Sequence, residues 1–244
     1  MMLYNLKNMF RKNFQSLINR SLSKVDRLFS KYISINGLDR SIETYLPKND
    51  GFFVELGAND GINQSNTDYF ERYKGWRGIL IEPNPQNFLK CLTNRSIKNK
   101  IYCNACVSFE YTDRFVEIVF SNLMSTPLGL ESDITDPVSH AKSGTTFLKK
   151  AEEVFNFGAL AKTLNQILIE SEAPLRIDLL SLDVEGAEIE VLKGIDHSLY
   201  RFSYICVECR DPIKMVDYLE TCNYRLVRKL SNHDYLFEDS LQQL

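Results

Sequence analysis

From Gly51 onward, short apolar runs closed by turn residues alternate with stretches whose apolar positions recur every three or four residues. The first pattern reads as buried strand and the second as amphipathic helix. Phe52-Phe53-Val54-Glu55-Leu56 ends at Gly57 and predicts a strand, after which Ser65 or Asn66 caps a helix running to Tyr73. A second strand over Gly78–Glu82 stops at Pro83, and Pro85 suits the first turn of a helix over 85–95. A third strand is expected from Lys100 to Val107 and another from Arg114 to Phe120. Residues 121–157 hold Pro127, Gly129, Pro137 and Gly144 and read as a long excursion, the kind of segment that usually carries function. Beyond it come a helix over 158–171, a strand over 177–182, a helix over 187–192 and a strand over 202–209. A helix over 212–222 and a strand pair over 224–229 and 235–238 close the chain.

Repeated strand–helix units imply an α/β fold with a mostly parallel, doubly wound sheet, ending in an antiparallel strand pair. Residues 1–50 stand apart from that pattern. Over 3–33, Leu3, Leu6, Phe10, Phe14 and Leu17 recur at helical steps, with Lys7, Arg11, Lys12 and Arg20 between them. Such a basic amphipathic helix either packs on the core or a second copy, or lies on an anionic membrane surface. Residues 34–50 read as a connector, leaving 51–244 as the main domain.

Charge sharpens this division. The balance is +5 over residues 1–50 and −8 over 51–244, against −3 for all 244 residues. That acidic main domain speaks against a nucleic-acid partner. Composition is ordinary for a globular chain, with 44% hydrophobic and 25% charged residues. No uncharged stretch is long enough to span a bilayer, and no secretory signal is visible. Cys91, Cys103, Cys106, Cys206, Cys209 and Cys222 lie largely in apolar, strand-like runs. They read as small buried hydrophobes rather than zinc ligands, and a reducing, cytoplasmic setting fits them, with peripheral membrane contact through 3–33 as an addition.

In a doubly wound sheet the ligand sits beyond the carboxyl ends of the strands. Four polar segments fall there: Glu55-Leu-Gly-Ala-Asn-Asp-Gly61, Glu82-Pro-Asn84, Asn104 and Asp183-Val-Glu-Gly186. The first lacks the G-x-G-x-x-G pattern that lets backbone approach a pyrophosphate, which disfavours a dinucleotide dehydrogenase. Acidic Glu55 and Asp60 suit an amino-bearing ligand, and Glu82 at the next strand end can accept both ribose hydroxyls. A nucleoside with an amino-acid tail meets both demands, namely S-adenosylmethionine. Asp183 is the first candidate for a base, with Glu185, Glu208 and His233 as lesser ones. An Mg²⁺ bridging Asp183 and a second carboxylate suits these oxygen ligands, but the sequence does not require one.

The segments FFVELGANDGINQSNT, GWRGILIEPNP, IDLLSLDVEGAEIEVLKGID and NHDYLF, in this order over roughly 50–238, resemble the FkbM-type methyltransferases. The resemblance implies a Rossmann-like class I methyltransferase fold. It also implies O-methylation of hydroxyls on sugars, glycan precursors or related natural products. On this resemblance Glu55, Gly57, Asn59, Asp60 and Gly61 surround the methionyl part, and Ser65, Asn66 and Thr67 match the helix start that follows. Glu82 matches the ribose acid, Asn104 lies against adenine, and Asp183 is the acid of the DVEG motif. The excursion 121–157 would then shape the acceptor site or act as a lid. Methylation of nitrogen or a carboxyl group, and a non-catalytic binding role, remain as alternatives.

Overall fold

The computed structural model describes residues 30–148 and 152–243, so most of the expected N-terminal helix lies outside the described residues. Strands β1 (Phe52–Leu56), β2 (Arg77–Ile81), β3 (Lys100–Tyr102), β8 (Arg176–Leu182), β9 (Arg201–Glu208), β10 (Tyr224–Lys229) and β11 (Asp234–Asp239) form a seven-stranded sheet in the order β10-β11-β9-β8-β1-β2-β3. β3, β2, β1, β8 and β9 pair in parallel, and β11 runs antiparallel to both β9 and β10. The expected α/β class, with its mostly parallel sheet and C-terminal antiparallel pair, is the one that forms.

The continuous apolar runs are explained by burial on both faces of this sheet. Val54, Leu56, Ile79, Ile81, Leu180 and Leu182 point to one side. There they meet α5 (Leu164–Glu170), α6 (Glu188–Leu192) and α7 (Pro212–Thr221). Phe53, Leu80, Leu179, Cys206 and Leu236 point to the other side. They meet α1 (Leu38–Glu43), α2 (Asp68–Lys74) and α3 (Pro85–Asn94). Alternate strand residues serve opposite layers, as the two-residue repeat of a strand requires.

Three sequence expectations are corrected. Residues 34–50 are more than a connector: α1 buries Leu38 and Ile42, and Leu46 joins them in the core. The expected strand over 100–107 breaks at Cys103-Asn104, so β3 stays in the main sheet while β4 (Ala105–Val107) joins a second sheet. That second sheet has the order β4-β7-β5-β6, with β5 (Phe115–Phe120), β6 (Thr126–Pro127) and β7 (Phe155–Thr163).

The expected helix over 158–171 is the third correction. Its first part is β7, paired antiparallel with β5 from Phe155↔Phe120 to Leu160↔Phe115. Val116, Ile118 and Ala159 form a small core there. This pairing overrides local helix preference. Helix α5 starts only after Thr163, whose side chain accepts from the Gln166 backbone in a reciprocal capping box. Between β6 and β7 the excursion folds as α4 (Pro137–Ser143) and a 3₁₀ turn at Gly144–Phe147.

Candidate active site

β1 is flanked by β2 on one side and β8 on the other, so connections leave it in both directions and a crevice opens at its carboxyl end. A cleft of about 480 Å³ occupies that place. Its wall combines the strand-end loops with Leu123, Met124 and Phe147 of the excursion and Ile35 of the N-terminal side.

The loop after β1 makes the cleft floor. Gly57 has φ +74°, and a Cβ there would stand 2.0 Å from the Asp183 carbonyl oxygen. Only glycine lets β1 and β8 end this close together. Asn59 continues the turn at φ 49° and donates its N–H to Glu82 Oε2 at 2.8 Å. Glu82 Oε1 accepts from the Asn84 N–H at 2.9 Å, and both oxygens keep lone pairs for further donors. Burial pushes Glu82 up to about 7, against the pull of the two backbone N–H groups.

Glu55 departs from its expected role. Its carboxylate accepts from Ser65 Oγ at 2.9 and 3.0 Å, the Asn66 N–H at 3.0 Å and Thr67 Oγ1 at 2.6 Å. Arg95 Nη1 adds a bond at 3.2 Å, and Arg95 Nε reaches Glu71 at 2.7 Å. Burial works against the Arg95 charge, but Glu55 and Glu71 outweigh it and raise its pKa. Glu55 therefore touches the cleft wall while its carboxylate is directed at internal donors. Ser65 and Thr67 serve the same network. Asp60 Oδ1 accepts from the backbone of Ile62 and Asn63 and shapes the loop, and Gly61 packs against Arg95 and Cys91. Asp60, Gly61 and Thr67 stand outside the cleft lining, whereas Asn59, Asn66, Glu82 and Asn104 line it.

Asn66 Nδ2 donates to Ser181 Oγ at 3.0 Å, leaving Oδ1 buried without a partner among the described residues. A buried acceptor in this state favours a ligand that brings a donor. Asn104 sits at the sheet switch, where its Nδ2 donates to the Leu160 carbonyl at 3.1 Å. Volume, the Gly57 cradle, the open lone pairs of Glu82 and the orphaned Asn66 oxygen all fit a nucleoside with an amino-acid tail.

On the other side of the floor, Asp183, Glu185 and Glu208 each bring a carboxylate oxygen within 4.8 Å of the others. The Asp183 side chain is open to the cleft, but the protein packed around the cleft floor displaces much of its water. This desolvation, then the charges of Glu208 and Glu185, push its pKa well above the usual carboxylate range. Glu185 adopts φ 56°, a left-handed conformation unusual for a residue with a long side chain. Gly186 follows at φ +103°, and a Cβ there would lie 2.6 Å from Ser132 Oγ of the excursion.

Sequence reasoning missed two partners of Glu185, of which Arg210 lines the cleft. Arg210 Nη2 lies 3.1 Å from Glu185 and 3.7 Å from Glu208, and its backbone N–H donates to Asp133 Oδ2 at 2.6 Å. His140, for which the sequence offers no partner, pairs through Nε2 with Glu185 Oε2 at 2.8 Å. Both pairings join segments far apart in the chain, so spacing could not reveal them. His233 reaches the cleft rim from the exposed β10–β11 turn, held by its N–H to Ser231 Oγ at 3.2 Å. Glu188 is buried and accepts from the N–H groups of Val184 and Gly186, a structural cap for the DVEG turn. The six cysteines are free, and none joins a metal-like cluster among the described residues.

A family model described as the Methyltransferase FkbM domain matches residues 55–226. The chain is similar to a protein named Methyltransferase 1 of Beauveria bassiana (strain ARSEF 2860), 28% identical over 151 residues. That stretch is 60% of this chain and 59% of the relative, so the chain spans less than two thirds of the relative's length. Among solved structures it is similar to the methyltransferase FkbM of Methylobacillus flagellatus KT, at 15% identity and a TM-score of 0.44, over 78% of this chain and 43% of that one. It is also similar to a SAM dependent methyltransferase of Aquifex aeolicus, at 12% identity and a TM-score of 0.36, over 82% of this chain and 87% of that one.

Proposed function

The chain belongs to the FkbM methyltransferase family, and on that premise we propose that it is an S-adenosylmethionine-dependent O-methyltransferase acting on a hydroxyl of a sugar, a glycan precursor or a related natural product. The observation that carries this reading is one cleft with two unlike halves: Glu82, Asn66 and Asn104 on one side, and Asp183, Glu185 and Glu208 on the other. Glu82 would hold the ribose hydroxyls, Asn66 Oδ1 would accept from the amino-acid tail, and Asn104 would lie beside the base. The bound cofactor supplies an electrophilic methyl group.

The protein's own part is to align and to take a proton. Holding two reactants in line is worth orders of magnitude in rate without any covalent enzyme intermediate. Asp183 is the proposed base, because its raised pKa brings it closer to the operating pH than an ordinary aspartate. Glu185 and Glu208 stand beside it as orienting acceptors for the other hydroxyls of a polyol. Arg210 already lies against Glu185 and Glu208, so no Mg²⁺ is proposed there.

The acceptor is proposed as a small molecule or glycan rather than nucleic acid, in keeping with the −3 net charge. No helix of the described residues is long and apolar enough to cross a membrane. A reducing, cytoplasmic setting is proposed from the cysteines, and membrane contact or self-association through residues 3–33 from the basic amphipathic pattern of that segment. The test is titration with S-adenosylmethionine and S-adenosylhomocysteine beside a Glu82→Ala variant, followed by product analysis on a panel of hydroxyl acceptors. Cofactor binding lost in the variant, with a methyl ether as product, is the expected result. Folded protein that binds neither compound would leave a binding or scaffold role, and an N-methyl or ester product would move the chemistry to the alternative acceptors.

A further inference from the structure

The cleft has a one-sided charge lining. Glu55, Glu82, Asp183, Glu185, Glu208 and Asp234 line the cleft, while Arg210 is its one arginine or lysine among the described residues. Glu55 is answered internally by Arg95. Arg210, in turn, is bracketed by Glu185 at 3.1 Å, Glu208 at 3.7 Å and Asp133 at 3.9 Å, although its Nη1 is buried without a hydrogen bond among the described residues. His140 is taken up by Glu185. Lys193 and Lys214 are directed away, to Glu131 on the surface. A negatively charged group entering here would meet several carboxylates at short range in a partly dry cavity, and its one cationic neighbour would already be shared among three acids.

Resting on the O-methyltransferase reading, we infer that Glu185 and Glu208 make this cleft a charge filter, which admits uncharged or amino-bearing polyols and refuses acceptors whose entering end carries a phosphate or carboxylate. The filter narrows the acceptor class. Sugar phosphates and uronic acids are excluded at the reacting end, whereas neutral glycosides and amino sugars are served by the same carboxylate acceptors that repel the anions. Refusal needs a built-in repulsive element as well as good contacts to the right partner, and the two glutamates supply it.

The probes are inorganic phosphate, glucose 6-phosphate and glucose, titrated into protein saturated with S-adenosylhomocysteine. Wild-type protein is expected to show no phosphate binding and no preference for glucose 6-phosphate over glucose. The Glu185→Gln, Glu208→Gln double variant leaves Arg210 with Asp133 alone of its three acids, and its phosphate affinity is expected to rise about tenfold or more. Adding Arg210→Gln should remove that gain. S-adenosylhomocysteine affinity reports whether each variant is folded, and the single Glu208→Gln variant is expected to move the same way by a smaller factor if the double variant is not. Phosphate binding by the wild type, or a folded variant without the gain, would overturn the filter. None of these readings needs turnover, so the filter and the hydroxyl chemistry fail separately: the first in phosphate affinity, the second in the product.

Discussion

Two groups of acids border the same cleft and behave oppositely. Around Glu55, each charge meets a partner: Ser65, Thr67, the Asn66 N–H and Arg95 surround it, and Glu71 answers Arg95 from the other side. Around Asp183 the balance is uneven. Glu185, Glu208 and Asp133 share Arg210, Asp183 opens onto the cleft without a cation of its own among the described residues, and its pKa is raised by desolvation and by its neighbours. A completed network holds a loop in one shape, whereas an incomplete one is left able to exchange protons and accept donors from a ligand. Both groups sit at strand ends, so position alone does not separate structure from chemistry. The inventory of donors does.

The contrast breaks most clearly at Arg95. Arg95→Met leaves Glu55 and Glu71 buried with their cationic partner gone, and removing one member of a buried pair typically costs about 3–5 kcal/mol. Urea unfolding should show a loss of that size. A loss under about 1 kcal/mol would mean that the Glu55 network is not what holds the loop.

Asp183 should give the opposite signature. Asp183→Asn keeps the shape and removes the proposed base, so kcat should fall by about 100-fold or more. Stability should not fall with it, because burial and the like charges of Glu208 and Glu185 already disfavour the ionised form. Rate measured by S-adenosylhomocysteine release, beside urea unfolding, checks both halves. A stable variant with unchanged kcat would remove Asp183 as base, and a large stability loss would place it with Glu55.

These two residues also mark how far the sequence could be read. The strand ends were legible because apolar runs stop where the cleft begins: Glu82 and Asp183 each follow directly on a strand, and Asn104 falls in the break between two. Glu55 was legible as an acid in the right place but not as an occupied one. Its partners Ser65, Thr67 and Arg95 are 10, 12 and 40 residues away, and nothing local shows that they converge. Arg210 and His140 were hidden for the same reason, since their partner Glu185 lies 25 and 45 residues off. The β7 strand was hidden by its pairing with β5 across the excursion, although Thr163 and Gln166 did carry a capping-box signal for where helix begins.

Glu82 lies between the two extremes, with two backbone donors and lone pairs to spare, and its titration measures that. Burial raises it to about 7 in the ligand-free protein. In the proposed site the ribose hydroxyls would donate to the ionised form, so binding should require loss of the proton below that pH. Affinity for S-adenosylhomocysteine should therefore rise about tenfold between pH 6 and pH 8, with proton release on binding at the lower pH. Glu82→Gln should bind more weakly and lose this pH dependence. A flat wild-type profile would mean that Glu82 is ionised throughout or does not meet the ligand.

The smallest effect belongs to the surface. Glu131, on the excursion, pairs with Lys193 at 2.5 Å and Lys214 at 2.6 Å, and these bridges tie the excursion to α7 and to the residue after α6. All three side chains are substantially exposed, at 30%, 43% and 48%. Water screens such pairs and their side chains lose freedom in making them, so Glu131→Gln should cost about 0–1 kcal/mol in urea unfolding. Raising the salt should shrink even that difference. The excursion would then owe its place to buried contacts, such as Ser132 and Ile134 against Gly186, and to Asp133 at the Arg210 backbone. A loss of several kcal/mol, by contrast, would make the acceptor side depend on ion pairs as fully as the Glu55 side does, and the distinction between a completed and an incomplete network would have to be redrawn.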